Sequence, residues 1–213
     1  MRRTLLVTIA TPEILGDVAA FIENQKEYAT ARGFEYRIKH KPWWKDLHAS
    51  FSKVWEIHCG LCQGFDQVIW TDADVAFMDM QWDITSLLDE NHWMAAYKQT
   101  NWNTWDYLCN GLIVLRNCPE SRDYVEKWVK KVETRFIKDH PWEQWYFDEL
   151  IRDIKYQGVR RCVGAEIGCF CPELWHDGTI WQPGYPTIHF AGPSDWKKRG
   201  EVFRTVYQSQ VKR

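Results

Sequence analysis

Strand-like and helix-like segments alternate through the first half of this chain, and that alternation restricts the fold more than any other feature. Residues 4–10 (TLLVTIA) are apolar enough for a buried first strand. Thr11 then stands at a helix N-cap with Pro12 at the first helical position. Ile14, Val18 and Ile22 recur at helical spacing, and Gly33 is a natural stop. Residues 34–40 (FEYRIKH) alternate Phe34, Tyr36 and Ile38, the spacing of a second strand. Ser50 is the expected cap of a helix whose stripe is Phe51, Val54, Trp55, His58, Leu61 and Cys62, and residues 67–71 (QVIWT) follow as a strand. Further strands are expected over 93–99 and 111–117, helices over 120–136 and 143–154, and a short strand over 187–192. This order predicts a single α/β domain, a mixed but mostly parallel sheet flanked by helices. The irregular stretches 41–49, 100–109 and 157–186 are the long loops on which a site is expected to be assembled.

Composition narrows the function classes. A chain of 213 residues suits one domain with a substantial core. Its formal net charge of −2 gives no general attraction to nucleic acid or to an anionic membrane. No segment approaches the ~20 apolar residues of a membrane span. The N-terminal apolar run is about six residues and is followed at once by Pro12 and Glu13, too short for a signal peptide. The chain therefore reads as soluble and cytosolic. There are seven cysteines. Cys59 and Cys62 form a CxxC inside a helical pattern with no second CxxC after it, so free, buried thiols in a reducing compartment are expected rather than a zinc site. Fourteen tryptophans are unusual, and their faces serve either packing or the stacking of sugars.

The chemistry is concentrated in VIWTDADVAF, residues 68–77. Asp72 and Asp74 lie two residues apart on an extended segment, so their carboxylates point the same way. At the end of a buried strand such a pair is costly unless a cation sits between them. In open α/β sheets ligands bind beyond the carboxyl ends of strands, which is where this pair falls. The other reading is a turn in which one aspartate caps the next helix. The apolar residues on both sides of the triplet weigh against it.

A second feature is IHFAGPSDWKK, residues 188–198. His189 lies on a short apolar strand, Gly192 follows, and Lys197 and Lys198 come next. An imidazole added to two carboxylates suits Mn²⁺ or Mg²⁺. A glycine–proline turn followed by lysines suits a diphosphate. Together the two features describe a cation on carboxylates, a diphosphate on the cation, and lysines on the far side.

At this point the chain resembles the GT-A glycosyltransferases that use nucleotide-sugar donors. The resemblance rests on the Asp-Ala-Asp at the end of an apolar strand, on Lys53 in the preceding helix (SFSKVWEIHCGL), and on Asn110 and Gly111 in NGLIVLRN. EQWYFDELI and HFAG match, in order, the helix carrying an acidic residue near the transferred sugar and the metal-completing histidine motif. One chlorella virus domain associated with capsid glycan synthesis is especially similar. The resemblance implies a Rossmann-like GT-A fold, a UDP-sugar donor of glucose or rhamnose type, a glycan acceptor, a divalent cation, and further domains in a longer polypeptide. It implies a donor half over about residues 1–100 and an acceptor half over about 101–213. Asp72, Asp74 and His189 would hold the metal. Thr8, Ala10 and Thr11 at the end of the first strand, with Tyr36 or Arg37, would face the base. Lys53, Asp72, Ala73, Asn110, Gly111, Gly192, Lys197 and Lys198 would meet the rest of the donor. The spacing after His189 departs from glycogenin-like enzymes, where the lysine comes sooner.

An inverting reaction also needs a base for the acceptor hydroxyl. Asp148 and Glu149 are the candidates, with Asp106 next. Asp148 shares a helix face with Trp145, where a lone charge must be paired or functional, whereas Glu149 lies about 100° further round. Trp102, Trp105, Trp142, Trp145 and Trp181 lie in or beside the irregular segments and are the candidates for an acceptor platform. Two readings from other classes compete. A phosphatase-like phosphotransferase carries its Asp-x-Asp on the first strand. A carbohydrate-binding module would use the tryptophans without catalysis.

Overall fold

A computed structural model of the chain describes residues 2–99, 107–134, 143–152, 157–171, 174, 180–191 and 195–211. The elements run β1 (Thr4–Ile9), α1 (Pro12–Arg32), β2 (Glu35–Lys39), α2 (Ser52–Cys62), β3 (Gln67–Thr71), β4 (Val75–Phe77), β5 (Met94–Gln99), β6 (Tyr107–Arg116), α3 (Pro119–Thr134), α4 (Glu143–Ile151), β7 (Val159–Cys162), α5 (Gly164–Ile167), β8 (Cys169–Phe170), β9 (Thr187–His189) and α6 (Trp196–Val211). Among the described residues no helix is long and apolar enough to cross a membrane.

A six-stranded sheet in the order β2-β1-β3-β6-β5-β7 forms the centre. β1 pairs in parallel with β2 and β3, and β7 in parallel with β5, while β6 is antiparallel to both neighbours. β6 alone runs against the rest, so the sheet is mixed and mostly parallel, as the alternation of elements predicts. Strand periodicity divides the core in two. Leu5, Val7 and Ile9 of β1 with Val68 and Trp70 of β3 face α2, α3 and α4. Leu6 of β1, Ile69 of β3 and Val114 of β6 face α1 and α6. Both faces are covered, which is why these strands read as continuous apolar runs.

A second sheet, β4-β9-β8, packs beside the first. β4 is the apolar VAF that follows the two aspartates. Its register sets Val75 opposite His189, so strand pairing alone brings His189 to the Asp-Ala-Asp turn.

α1 starts and stops where expected, with Thr11 at the N-cap, Pro12 first, and Gly33 at φ 68 ending it. α2 differs. His48, not Ser50, caps the turn that leads into it, its ring accepting from Ser50 N. The Ser50 hydroxyl donates instead to the buried carboxylate of Glu143 at 2.6 Å, a stronger partner than a helix N–H. The core face of α2 is Val54, Ile57 and Leu61, rotated from the expected stripe. Trp55 and His58 are half-buried, and Cys62 is exposed.

The irregular stretches hold more order than expected. β6 begins at Tyr107 rather than Gly111 because it continues past a bulge to pair with Tyr97, Lys98 and Gln99 of β5. β7, α5, β8 and the whole of α6 lie where the sequence showed no clear period. The expected helix end at Phe136 falls outside the described residues.

Candidate active site

β3 is buried along its length and delivers Asp72 to the carboxyl edge of the sheet. The backbone fixes the turn there: Asp72 N donates to Gly111 O at 2.7 Å and Val75 N to Asp72 O at 3.1 Å. α1 holds it from the other side. Gln25 Nε2 donates to both Asp72 O and Val75 O at 2.9 Å, and Asn24 exchanges two hydrogen bonds with the Phe77 backbone at 2.7 and 2.9 Å. These two residues were not read as site residues from the sequence. Their signal is an amide pair on the buried face of an amphipathic helix, where amides need backbone partners.

Each aspartate is clamped through one oxygen and presents the other. Asp72 Oδ1 accepts from Trp70 Nε1 at 2.7 Å and pairs with Lys53 Nζ at 3.1 Å. Its Oδ2 faces His189 Nε2 at 3.9 Å. Asp74 Oδ2 pairs with Arg199 Nη1 at 2.5 Å, and its Oδ1 faces the same His189 nitrogen at 3.3 Å. The cost of two like charges is thus met by cations of the protein itself, one from α2 and one from α6. Arg199 was not among the residues read as functional.

Gly111 has a specific reason to lack a side chain. A Cβ there would lie 2.3 Å from His189 Cε1, so the strand passes directly beneath the imidazole. The second ring nitrogen, Nδ1, lies 3.7 Å from Cys109 Sγ. Among the described residues, Asp72, Asp74 and His189 form the group whose ligand atoms lie within 4.8 Å of one another. Two carboxylate oxygens and an imidazole nitrogen are a donor set that fits a divalent cation such as Mn²⁺. The cysteines take no part: all seven are free, and burial pushes the thiols of Cys162 and Cys169 up to about 12.

The charges respond to these contacts. Burial pushes the Asp72 carboxyl up, more than Lys53 and His189 hold it down. Burial also acts on Asp74, but His189 and Arg199 outweigh it and keep its carboxyl at about 2. Burial lowers the His189 imidazole, and the neighbouring Asp74 more than reverses that, to about 10.

Behind Asp72 a buried polar network leads to α4. Lys53, 1 % exposed, donates to Asn110 O at 3.0 Å, to Asn110 Oδ1 at 2.8 Å and to Glu143 Oε1 at 3.0 Å. Asn110 N donates to Gln144 Oε1 at 2.9 Å, and Gln144 Nε2 donates to Leu108 O at 2.6 Å and Asp148 Oδ2 at 3.2 Å. Leu108 N donates to Asp148 Oδ1 at 3.3 Å. Glu143 and Gln144, missed in the sequence, therefore tie Lys53 and Asn110 to Asp148. Burial raises the Asp148 carboxyl to about 6 despite these donors. Glu149 is exposed and turned to α3, where it pairs with Lys131 at 2.7 Å. Of the two expected acids, Asp148 alone joins the buried network.

The other expected residues are distributed as follows. Thr8 and Ala10 are fully buried. Ala10 N donates to Lys39 O and Ala10 O lies 3.0 Å from His40 Nδ1, while Thr11 O accepts from Ile14 N and Leu15 N of α1. The carbonyls of Ala10 and Thr11 and the Ala10 N–H thus already have protein partners. Tyr36 donates to Gln25 Oε1 at 3.2 Å and so braces the residue that holds the Asp72 turn. Arg37 pairs with Glu35 at 3.0 Å. Ala73 is buried between the two aspartates. Lys197 and Lys198 are exposed on the first turn of α6, which Asp195 caps by accepting from Lys198 N at 3.0 Å. They stand on a helix that follows the Gly-Pro segment. Trp145 is 57 % exposed on α4, whereas Trp181 is buried and donates to Tyr185 O. Asp106, Gly192, Trp102, Trp105 and Trp142 lie outside the described residues.

Similarity to known proteins agrees with this geometry. No protein-family model matches the chain. A "Probable glycosyltransferase 6" of Oryza sativa subsp. indica is 24% identical over 119 residues, covering 52% of this chain. The chain spans only 24% of that relative's length. A glycosyltransferase involved in the glycosylation of the major capsid of PBCV-1 superposes with a TM-score of 0.76, at 14% identity, over 95% of this chain and 99% of the other. The galactosyltransferase LgtC, in complex with donor and acceptor sugar analogs, superposes with a TM-score of 0.58, at 12% identity, over 96% and 95%. GlyE of Streptococcus pneumoniae gives 0.59 at 11% identity, over 99% of this chain and 64% of that one. The chain has the fold of these glycosyltransferases, the GT-A architecture expected from its sequence.

Proposed function

We propose that this chain is a metal-dependent glycosyltransferase that moves a sugar of glucose or rhamnose type from a UDP-sugar to a glycan acceptor. The observation that carries this reading is the meeting of Asp72, Asp74 and His189 at the carboxyl end of β3, in a fold shared with glycosyltransferases. The likeness to the PBCV-1 enzyme supports a capsid glycan as the acceptor.

The bond to be broken joins the anomeric carbon to the diphosphate, and negative charge grows on the leaving phosphate. A divalent cation, Mn²⁺ or Mg²⁺, would be held by Asp72, Asp74 and His189 and would stabilise that charge as a Lewis acid. Lys53 and Arg199 orient the two carboxylates. Lys197 and Lys198, exposed at the start of α6 just after Gly192, add positive charge for the diphosphate. Thr8, Ala10 and Thr11 at the end of β1 lie on the base side, with Ala73 between the metal ligands. Gly111 keeps the donor end of β6 thin, and Asn110 links it to α4.

On the acceptor side Asp148 is the acid–base candidate. A carboxyl near 6 exchanges protons at neutral pH, which an ordinary surface aspartate does poorly. Glu149, paired with Lys131, leaves this role to it.

The experiment is direct. The protein with UDP-glucose or a UDP-rhamnose and Mn²⁺ should release UDP, faster with a capsid-type oligosaccharide present, and EDTA should stop it. Metal-independent release of inorganic phosphate from simple phosphate esters would instead identify a phosphotransferase.

A further inference from the structure

Among the described residues, Arg199 is the charged contact of the aspartate pair that comes from α6. Its guanidinium reaches Asp74 Oδ2 at 2.5 Å, across 125 residues of sequence. It is 8% exposed, and Asp74 is 2% exposed, so solvent screens this ion pair little. Three features hold it in place. Its guanidinium stacks over the Trp196 ring at 4.3 Å. The next residue, Gly200, backs onto α1 so closely that a Cβ would lie 2.5 Å from Asp17 O. Phe203, one turn on, stacks on Phe21 of α1 at 4.4 Å. Helix α6 is therefore docked against α1 with Arg199 directed inward at Asp74.

This placement has an electrostatic consequence. Lys53 already balances Asp72, and Arg199 already balances Asp74. A divalent cation arriving on Oδ1 of Asp74 shares that carboxylate with a fixed positive charge on Oδ2. Without Arg199, Asp74 would lose one of its two charged partners and keep His189, whose imidazole a metal ion would also use. A metal ion would then relieve that deficit and bind more tightly.

We propose that Arg199 is a built-in counter-cation of the metal site. It holds Asp74 oriented while no divalent ion is bound, and it weakens the hold on that ion, so that the docking of α6 sets how readily metal is taken up and released. This rests on the reading of Asp72, Asp74 and His189 as a metal site. Arg199 acts through Asp74 and is a positioning residue, not a catalytic one.

The test measures Mn²⁺ binding to the nucleotide-free protein by calorimetry, and melting temperature with and without Mn²⁺. Arg199→Met removes both the charge and the hydrogen bond, and Arg199→Gln removes the charge while keeping a donor for Oδ2. Both variants should bind Mn²⁺ more tightly than wild type, by about tenfold or more. Both should melt lower without metal and gain more from Mn²⁺ than wild type does. Arg199→Lys should stay near wild type on both measures. If Arg199→Met fails to fold, Arg199→Gln decides. Affinity that is unchanged or weaker in Arg199→Gln overturns the counter-cation role while leaving the metal site itself in place. Absence in the wild type of saturable Mn²⁺ binding that Asp72→Asn removes would overturn the metal site, and this proposal with it.

Discussion

Asp74 and Asp148 are two buried carboxylates of similar burial. Asp74, at the edge of β3, is 2% exposed, and Asp148, on α4, is 7% exposed. Their partners differ in kind. Asp74 is held between an imidazole and a guanidinium, and its carboxyl stays at about 2. Asp148 accepts from the Leu108 N–H and the Gln144 amide, and burial outweighs these donors and the charges of Arg152 and Arg161, so its carboxyl rises to about 6. Burial alone pushes both upward. How strongly cations act on each carboxylate, set against its burial, decides the outcome. One carboxyl is thereby held below the usual carboxylate range and the other above it.

The network between the centres is the place to break that contrast most severely. Lys53 is fully enclosed and shared by Asp72, Asn110 and Glu143. Burial lowers its amine, but Asp72 and Glu143 more than reverse this, so it is charged in the fold. Lys53→Met would leave Asp72 and Glu143 without their cation. We expect a loss of about 3–5 kcal/mol in urea unfolding. Retention of wild-type stability would show that the network is not a closed charge system.

A smaller effect is expected at Gly111, and it should fall on one centre only. Gly111→Ala pushes a methyl into His189, at a cost of about 1–3 kcal/mol from overpacking. Mn²⁺ binding should fall sharply, because the imidazole must turn away from Asp74. The pH behaviour of Asp148 should not change. Undiminished Mn²⁺ affinity would separate His189 from the metal site.

An effect confined to a pH window belongs to Asp148. Its carboxyl rises from 3.8 to about 6 on folding, so the folded state binds the proton more tightly than the unfolded one. The cost of ionising it is therefore absent below pH 3.8, builds between there and pH 6, and is constant above. It amounts to about 2–3 kcal/mol at most. Relative to Asp148→Asn, the wild type should lose stability across that window as pH rises. Parallel pH–stability curves for the two proteins would mean that Asp148 titrates as an ordinary surface aspartate.

The same contrast explains what could be read from the sequence. Asp72, Asp74 and His189 were legible because the chemistry is local in each case: a carboxylate pair on an extended segment, and an imidazole on a short apolar strand. The central strands and α1 were legible because their faces are continuously apolar. β4 was not, since three residues carry no period and its partner β9 lies far along the chain. Arg199 was not, since nothing near it in sequence marks it as different from Lys197 or Lys198. Only the packing of Gly200 on α1 turns it inward. Glu143 and Gln144 were passed over for the same reason, as polar residues at a helix start usually face solvent. The stripe of α2 was misjudged because tryptophan at position 55 outweighed Ile57 in a pattern read by hydrophobicity alone.

The account's central claim is that the Asp-Ala-Asp turn is a metal-dependent diphosphate site. Its most direct test is calorimetric titration of UDP into wild type, Asp72→Asn and Asp74→Asn, each with and without Mn²⁺. Wild type should bind UDP at least about tenfold more tightly with Mn²⁺ than without it, and both variants should lose that difference while remaining folded. Asp74→Asn should also melt lower without metal, because it removes the buried ion pair with the Arg199 guanidinium. An identical Mn²⁺-dependent gain in UDP affinity in all three proteins would contradict the account.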